Sequence, residues 1–147
     1  VKQWDARSLK QRDTLIGSLR LLMDDALRIS DVPFQLVQGA RTIEEQQRYF
    51  NEGKSKVNPK AYPDRDKLYA AAKHVTGPGM SLSRAVDIVI DVKGMAYDKA
   101  HMCYVAGVVL AIARIRSIPV RWGGDWDRDG ELLSDQKLID MPHFELL

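Results

Sequence analysis

Apolar residues recur every three or four positions across residues 9–29, where Leu15, Leu19, Leu22, Ala26 and Ile29 fall on one side of a helical wheel. That period predicts an amphipathic helix. The next stretch, VPFQLVQG (32–39), changes period: Phe34 and Leu36 alternate with polar neighbours until Gly39 breaks the run, as in a short strand. Thr42 with Glu45 three residues later forms a capping box, so a second helix is expected from about there to Gly53. Residues 54–84 lose periodicity and are punctuated by Pro59, Pro63, Pro78 and Gly79; long irregular stretches inside a domain are usually functional or mobile. AVDIVI (85–90) then reads as a buried strand carrying one acid. Residues 98–116 predict a long helix with Tyr104, Val105, Val108, Val109, Ile112 and Ile115 on or near one face. IPVRW is a further short strand, GGDWDRDGE a turn and HFELL the closing strand. No repeat or linker interrupts the pattern. It predicts a single α+β domain over residues 1–147, with a small antiparallel sheet flanked by helices.

Composition narrows the function classes. With 147 residues the chain is long enough to bury a core without staples. No apolar stretch is long enough to span a bilayer, so no stable membrane insertion is expected, and the charged start VKQWDARSLKQRDTL has no secretory h-region. The net charge of +2 is too small, and the basic residues too scattered, to argue for nucleic acid. Cys103 is the only cysteine, which excludes an internal disulfide, and its apolar surroundings predict a small core residue.

Three histidines are present. His101 lies on the long helix next to core positions and reads as structural. His74 sits where a short helix gives way to irregular chain, and His143 lies in the closing strand. A lone histidine is a weak metal signal, but Asp87 changes the weighing. A carboxylate within an apolar strand needs a cationic partner or a metal, because burial otherwise forces it to take up a proton. His74, Asp87 and His143 would form a His₂Asp set suited to zinc with one position open. An ion pair of Asp87 with Arg41 or Arg84 explains the same residue as well.

Two further patterns carry chemistry. Asp125, Asp127 and Asp129 followed by Gly130 copy the first half of a calcium loop, but position 12 is Gln136 instead of glutamate; a solvated acidic turn is the competing reading. Around RWGGDW, Gly123-Gly124 permits close backbone approach. Trp122 is a candidate substrate contact there, or, with Trp126, a cover for the core.

VQGARTIEEQQRYFNEGKS, KHVTG, RAVDIVI, WGGDWD and DMPHFEL occur in that order over roughly residues 15–147. Together they resemble the zinc peptidases of the D-alanyl-D-alanine carboxypeptidase and L-alanyl-D-glutamate endopeptidase family, most of all single-domain phage endolysins. The resemblance implies a hedgehog- and DD-peptidase-like fold, zinc ligands His74, Asp87 and His143, and Asp140 as catalytic base. It implies that Arg41 steadies the substrate carbonyl or carboxylate, with Gln46, one helical turn further along, as a further substrate-binding residue. Glu145 is the rival base, since a strand puts it on the same face as His143.

Two features depart from the family pattern. Ala72 replaces a serine expected two residues before His74, whose hydrogen bond is then either absent or supplied by Ser81 or Ser83, and PGMSLS (78–83) looks like an insertion. The implied activity is zinc-dependent cleavage of the L-alanyl-D-glutamate bond of peptidoglycan stem peptides. The alternatives are a D-alanyl-D-alanine carboxypeptidase or dipeptidase, and a non-catalytic wall- or calcium-binding module. A monomer is expected, held in the host cytoplasm until lysis and then acting on the wall from the periplasm.

Overall fold

The computed structural model describes residues 2–147. Helices α1 (Ala6–Arg12) and α2 (Gly17–Ile29) precede strand β1 (Phe34–Gln38), and α3 (Ile43–Asn51) follows it. A 3-10 turn (Pro59–Ala61) and α4 (Arg65–Ala71) occupy the irregular stretch. Strand β2 (Ala85–Ile90), the long α5 (Lys99–Ile115), β3 (Val120–Gly123) and β4 (Asp140–Leu146) complete the chain. The sheet is antiparallel throughout, in the order β1-β2-β4-β3.

The period of two in the strands divides the sheet into unlike faces. Phe34, Leu36, Val86, Ile88, Val120, Trp122, Phe144 and Leu146 are buried in one cluster with residues of α2 and α5. Asp87, His143, Glu145 and Arg121 alternate with them and so stand on the opposite face. An acid in an apolar strand is therefore no anomaly: Asp87 points away from the core that holds its neighbours. A second, smaller cluster of Leu68, Tyr69 and Val75, with Ile43, Val57 and Met80 against it, holds α3 and α4 near that polar face.

Three expectations need correction. The predicted 9–29 helix is two helices, because residues 14–16 pair with the chain at Ser83: Ile16 N–H donates to the Ser83 carbonyl (2.9 Å) and Ser83 N–H to that of Thr14 (2.8 Å). A continuous helix could not offer those groups sideways. On α5, Tyr104 and Ile115 are exposed, and Met102, Ala106 and Ala113 take the buried positions instead. The closing strand begins earlier than HFELL, at Asp140. Cys103 is half-buried against the core.

The 78–83 segment folds into its own tight turn. Gly77 and Met80 exchange both backbone hydrogen bonds (2.8 and 2.9 Å), with Pro78 and Gly79 (φ +79°) at the corner. Proline followed by a glycine at positive φ is the chemistry of a type II turn. The Tyr69 hydroxyl donates to the Pro78 carbonyl (2.8 Å) and ties the turn to α4.

Candidate metal centre and its cleft

Strand pairing brings the three sequence-predicted ligands together. Asp87 on β2 lies directly opposite His143 on β4. His74 arrives from outside the sheet, on a segment zipped to Arg41: Arg41 N–H donates to the His74 carbonyl (2.8 Å) and Thr76 N–H to the Arg41 carbonyl (2.9 Å). The outcome is a close triangle. His74 Nε2 lies 3.2 Å from His143 Nδ1 and 3.2 Å from Asp87 Oδ1, and His143 Nδ1 lies 3.0 Å from Asp87 Oδ1. Both imidazoles are buried, and the Asp87 side chain is 22% exposed. Neither Arg41 nor Arg84 forms an ion pair with Asp87 among the described residues; Arg84 donates to the Tyr69 carbonyl instead.

The outer nitrogens of the histidines fix their tautomers. His74 Nδ1 is 2.7 Å from the Gly39 carbonyl, which can only accept, so this nitrogen carries the proton and Nε2 presents a lone pair. Gly39 is wedged against the end of α1, where a side chain would collide with Thr14 and Gln11. Its N–H donates to Gln11 Oε1 (2.8 Å), so the break between α1 and α2 helps to aim His74. His143 Nε2 is 2.8 Å from Glu145 Oε2, while Arg121 Nε and Nη2 donate to Glu145 Oε1 (2.9 and 2.7 Å). His143 Nδ1 therefore also presents a lone pair. Three acceptors that converge at about 3 Å need a proton or a cation between them. Their spacing is close to the edge of about 3.3 Å expected for ligands roughly 2.0–2.1 Å from a tetrahedral ion. The donor set and the fixed tautomers fit a metal ion.

The electrostatics agree. Burial opposes ionisation of Asp87, but the two histidines outweigh it and hold the carboxyl well below the usual range. Burial likewise opposes charge on His143, yet its hydrogen bonds to Asp87 and Glu145 prevail and push it up to about 9. A bound metal would replace that proton. Burial raises Asp140, and the charge of Asp87 adds to the effect, partly offset by His143, His74 and Arg41.

A cleft of about 560 Å³ opens over the triangle, within the usual range for ligand sites. Its lining includes Arg41, His74, Asp87, Asp140, His143 and Trp126. Asp140 reaches it through a bulge. Trp122 pairs with Phe144 and Gly123 with Asp140, so Met141, Pro142 and His143 have no residues opposite them on β3. Gly123 makes this possible, since any side chain there would strike the Asp140 carbonyl. The D-x-x-H spacing thus places both groups in one cleft.

Arg41 and Gln46 form a single unit. Arg41 Nη1 donates to Gln46 Oε1 (2.8 Å) and Nη2 to Gln38 Oε1 (2.6 Å). Gln46 Nε2 donates to Ser55 Oγ (2.7 Å) and the Val57 carbonyl (2.9 Å). Gln46 is fully buried with its amide occupied, so the expected substrate contact is corrected to a positioning role. Burial lowers the Arg41 pKa, opposed chiefly by the charge of Asp87.

Trp122 is also corrected. It is 1% exposed, packs in the core and donates to the Met141 carbonyl (2.7 Å). Trp126 stands in the cleft instead, its ring 5.4 Å from that of His143. Neither Ser81 nor Ser83 replaces the serine absent at Ala72: Ser83 is buried and donates to the Ala85 carbonyl, and the cleft serine is Ser55. His101 is remote from the triangle, held by Asp98 (2.6 Å) at the start of α5. Asp125, Asp127 and Asp129 gather in a separate loop outside the cleft lining.

The comparisons with known proteins agree with this geometry. Residues 2–147 match the family of phage L-alanyl-D-glutamate peptidases. Among solved structures, the L-Ala D-Glu endopeptidase ChiX of Serratia marcescens is similar at 26% identity with a TM-score of 0.70, over 99% of this chain and 91% of that one. No curated protein sequence matches. The α+β architecture, the cleft and the match over the described residues lead to one conclusion: the chain belongs to the phage L-alanyl-D-glutamate peptidase family and is a peptidoglycan-cleaving enzyme.

Proposed function

We propose that His74, Asp87 and His143 hold one zinc ion and that the enzyme hydrolyses the L-alanyl-D-glutamate bond of peptidoglycan stem peptides. The observation carrying this reading is the triangle of three buried acceptor atoms, each histidine fixed from behind in the ligating tautomer. When bound, zinc supplies Lewis acidity, polarising a carbonyl and bringing the pKa of water toward neutrality. Asp140, raised by burial and placed on the cleft wall, accepts the proton of the attacking water and returns it to the leaving amine. Arg41, fixed by Gln46 and Gln38, presents its charge to the oxyanion that develops at the scissile carbonyl. Trp126 supplies an apolar wall for the peptide. In this reading the enzyme acts as a monomer that reaches the wall from the periplasm after accumulating in the host cytoplasm.

Metal analysis of variants tests the ligand assignment. His74→Ala and His143→Ala should lose zinc, whereas His101→Ala should retain about one ion per chain, the occupancy of a site with three protein ligands. Equal zinc content in all three variants would overturn it.

Calcium is proposed for the separate acidic loop. Asp125 already accepts the N–H groups of Asp129 and Gly130 (3.2 Å each), and Gly130 takes φ +89° at the sixth position. This is the folded first half of a calcium loop. Gln136 Oε1 instead accepts Trp126 N–H (3.0 Å), so the twelfth position offers no carboxylate. Millimolar Ca²⁺ should shift the amide signals of residues 125–131 in the zinc-loaded protein; superimposable spectra would make the loop a solvated turn.

A further inference from the structure

We infer that Lys73 is a specificity-determining residue that binds the free α-carboxylate of the D-glutamyl residue on the amine side of the scissile bond. This inference rests on the proposed function and extends it to the form of substrate the cleft selects. Lys73 precedes the ligand His74 in the chain, and its carbonyl accepts the N–H of Arg84 (3.0 Å), which pins its backbone beside β2. The side chain lines the cleft and is half-buried.

Its charged neighbours are Arg84, Glu145 and Arg121. Three cations there face one carboxylate, and that carboxylate is fully engaged: Oε1 by Arg121 and Oε2 by His143. Among the described residues the Lys73 ammonium has no ion-pair partner, while Lys54 nearby on the cleft wall is paired with Glu52 (2.9 Å). A partly desolvated ammonium without a counter-ion calls for an anion from the ligand.

The substrate chemistry supplies one in the right place. In a stem peptide the D-glutamate is extended through its γ-carboxyl, leaving the α-carboxylate free. That carboxylate sits on the carbon bonded to the scissile nitrogen, so it must lie close to the reacting atoms. Arg41 faces the oxyanion and Lys54 is paired with Glu52, so Lys73, next to His74 in the chain, is the cleft cation left to attract it. A stem peptide whose α-carboxylate is converted to the carboxamide, as in D-isoglutamine, loses the charge that Lys73 recognises.

The test compares two synthetic peptides, L-alanyl-γ-D-glutamyl-diaminopimelate and its α-carboxamide counterpart, with the zinc-loaded enzyme. Wild type should prefer the acid about 10- to 100-fold in kcat/KM, the range of a hydrogen bond to a charged group. Lys73→Met should erase that preference by raising KM for the acid while kcat changes little, and Lys73→Arg should keep part of it. Lys56→Met, a neighbouring cleft lysine, should leave the preference intact. Calorimetric titration with the product γ-D-glutamyl-diaminopimelate gives a readout independent of turnover, with binding to Lys73→Met weakened at least about tenfold. Equal cleavage of both peptides by wild type, or a preference that survives in a folded Lys73→Met, overturns the inference. Failure to cleave either peptide counts against the proposed function instead, and the product titration then decides the role of Lys73 by itself.

Discussion

Replacing Glu145 by glutamine changes one atom and separates two roles for this residue. Glu145 Oε2 accepts from His143 Nε2 at 2.8 Å, and Oε1 accepts from Arg121 Nε and Nη2. Glutamine has one acceptor oxygen and one NH₂ donor, so no orientation satisfies both neighbours. If its oxygen meets Arg121, the NH₂ group confronts the His143 N–H and the ring must turn or change tautomer. If its oxygen meets His143, the NH₂ group confronts a guanidinium. Both outcomes loosen the imidazole that is to hold the metal. Loss of such outer-sphere partners typically weakens metal affinity about 10- to 100-fold, equivalent to roughly 1.4–2.8 kcal/mol. Competition against a chromophoric chelator reads this directly as a rise in the zinc Kd. Turnover with saturating zinc should recover much of the wild-type value. An unchanged Kd in Glu145→Gln would refute the orienting role, and full zinc binding with abolished turnover would make Glu145 the base.

Asp140→Asn should behave in the opposite way, keeping zinc while turnover falls about 10²–10⁴-fold, the usual weight of general-base catalysis. Burial raises the Asp140 pKa when no metal is bound. For the metal-free protein the raised pKa means that Asp140 favours the fold fully below its unfolded pKa and loses that contribution as pH rises through its folded one. Metal-free Asp140→Asn should therefore melt no lower than wild type at neutral pH, and a marked drop in Tm would show that the carboxylate is structural. Gly123→Ala drives a methyl group into the Asp140 carbonyl; chemical denaturation should show a loss of about 1–3 kcal/mol, the range of overpacking. A stable, fully active Gly123→Ala would mean that the bulge does not depend on close approach.

The sequence was most legible where chemistry and period coincide. Asp87 stands out because a carboxylate interrupts an apolar strand, and the strand's period of two is what turns it to the polar face. The ligand set and Asp140 were reached through ordered motifs, since nothing local marks His74 as different from His101. Trp122 and Trp126 illustrate the limit. They lie four residues apart in one motif, yet the last residues of β3 carry Trp122 into the core while the following turn leaves Trp126 over His143. Only tertiary packing separates them. Gln46 misled for a related reason: its place one turn past Arg41 suggests a substrate contact, and only the Ser55–Val57 segment folding back over α3 occupies its amide. Glu145 carried a usable signal, two residues from His143 on one strand, but its pairing with Arg121 depends on the register between β3 and β4. The helix break before Gly17 had none, because it answers to a backbone partner at Ser83, far along the chain.

The central claim is that a metal held by His74, Asp87 and His143 lets this enzyme open the L-alanyl-D-glutamate bond. Mass spectrometry of purified Gram-negative peptidoglycan, digested with zinc-loaded protein, tests it most directly. The account predicts glycan strands that retain only L-alanine on the lactyl group, together with released peptides bearing a new amino-terminal D-glutamate. A chelator should abolish both products, and added zinc should restore them. Loss of terminal D-alanine alone, or digestion that proceeds unchanged in the chelator, would contradict it.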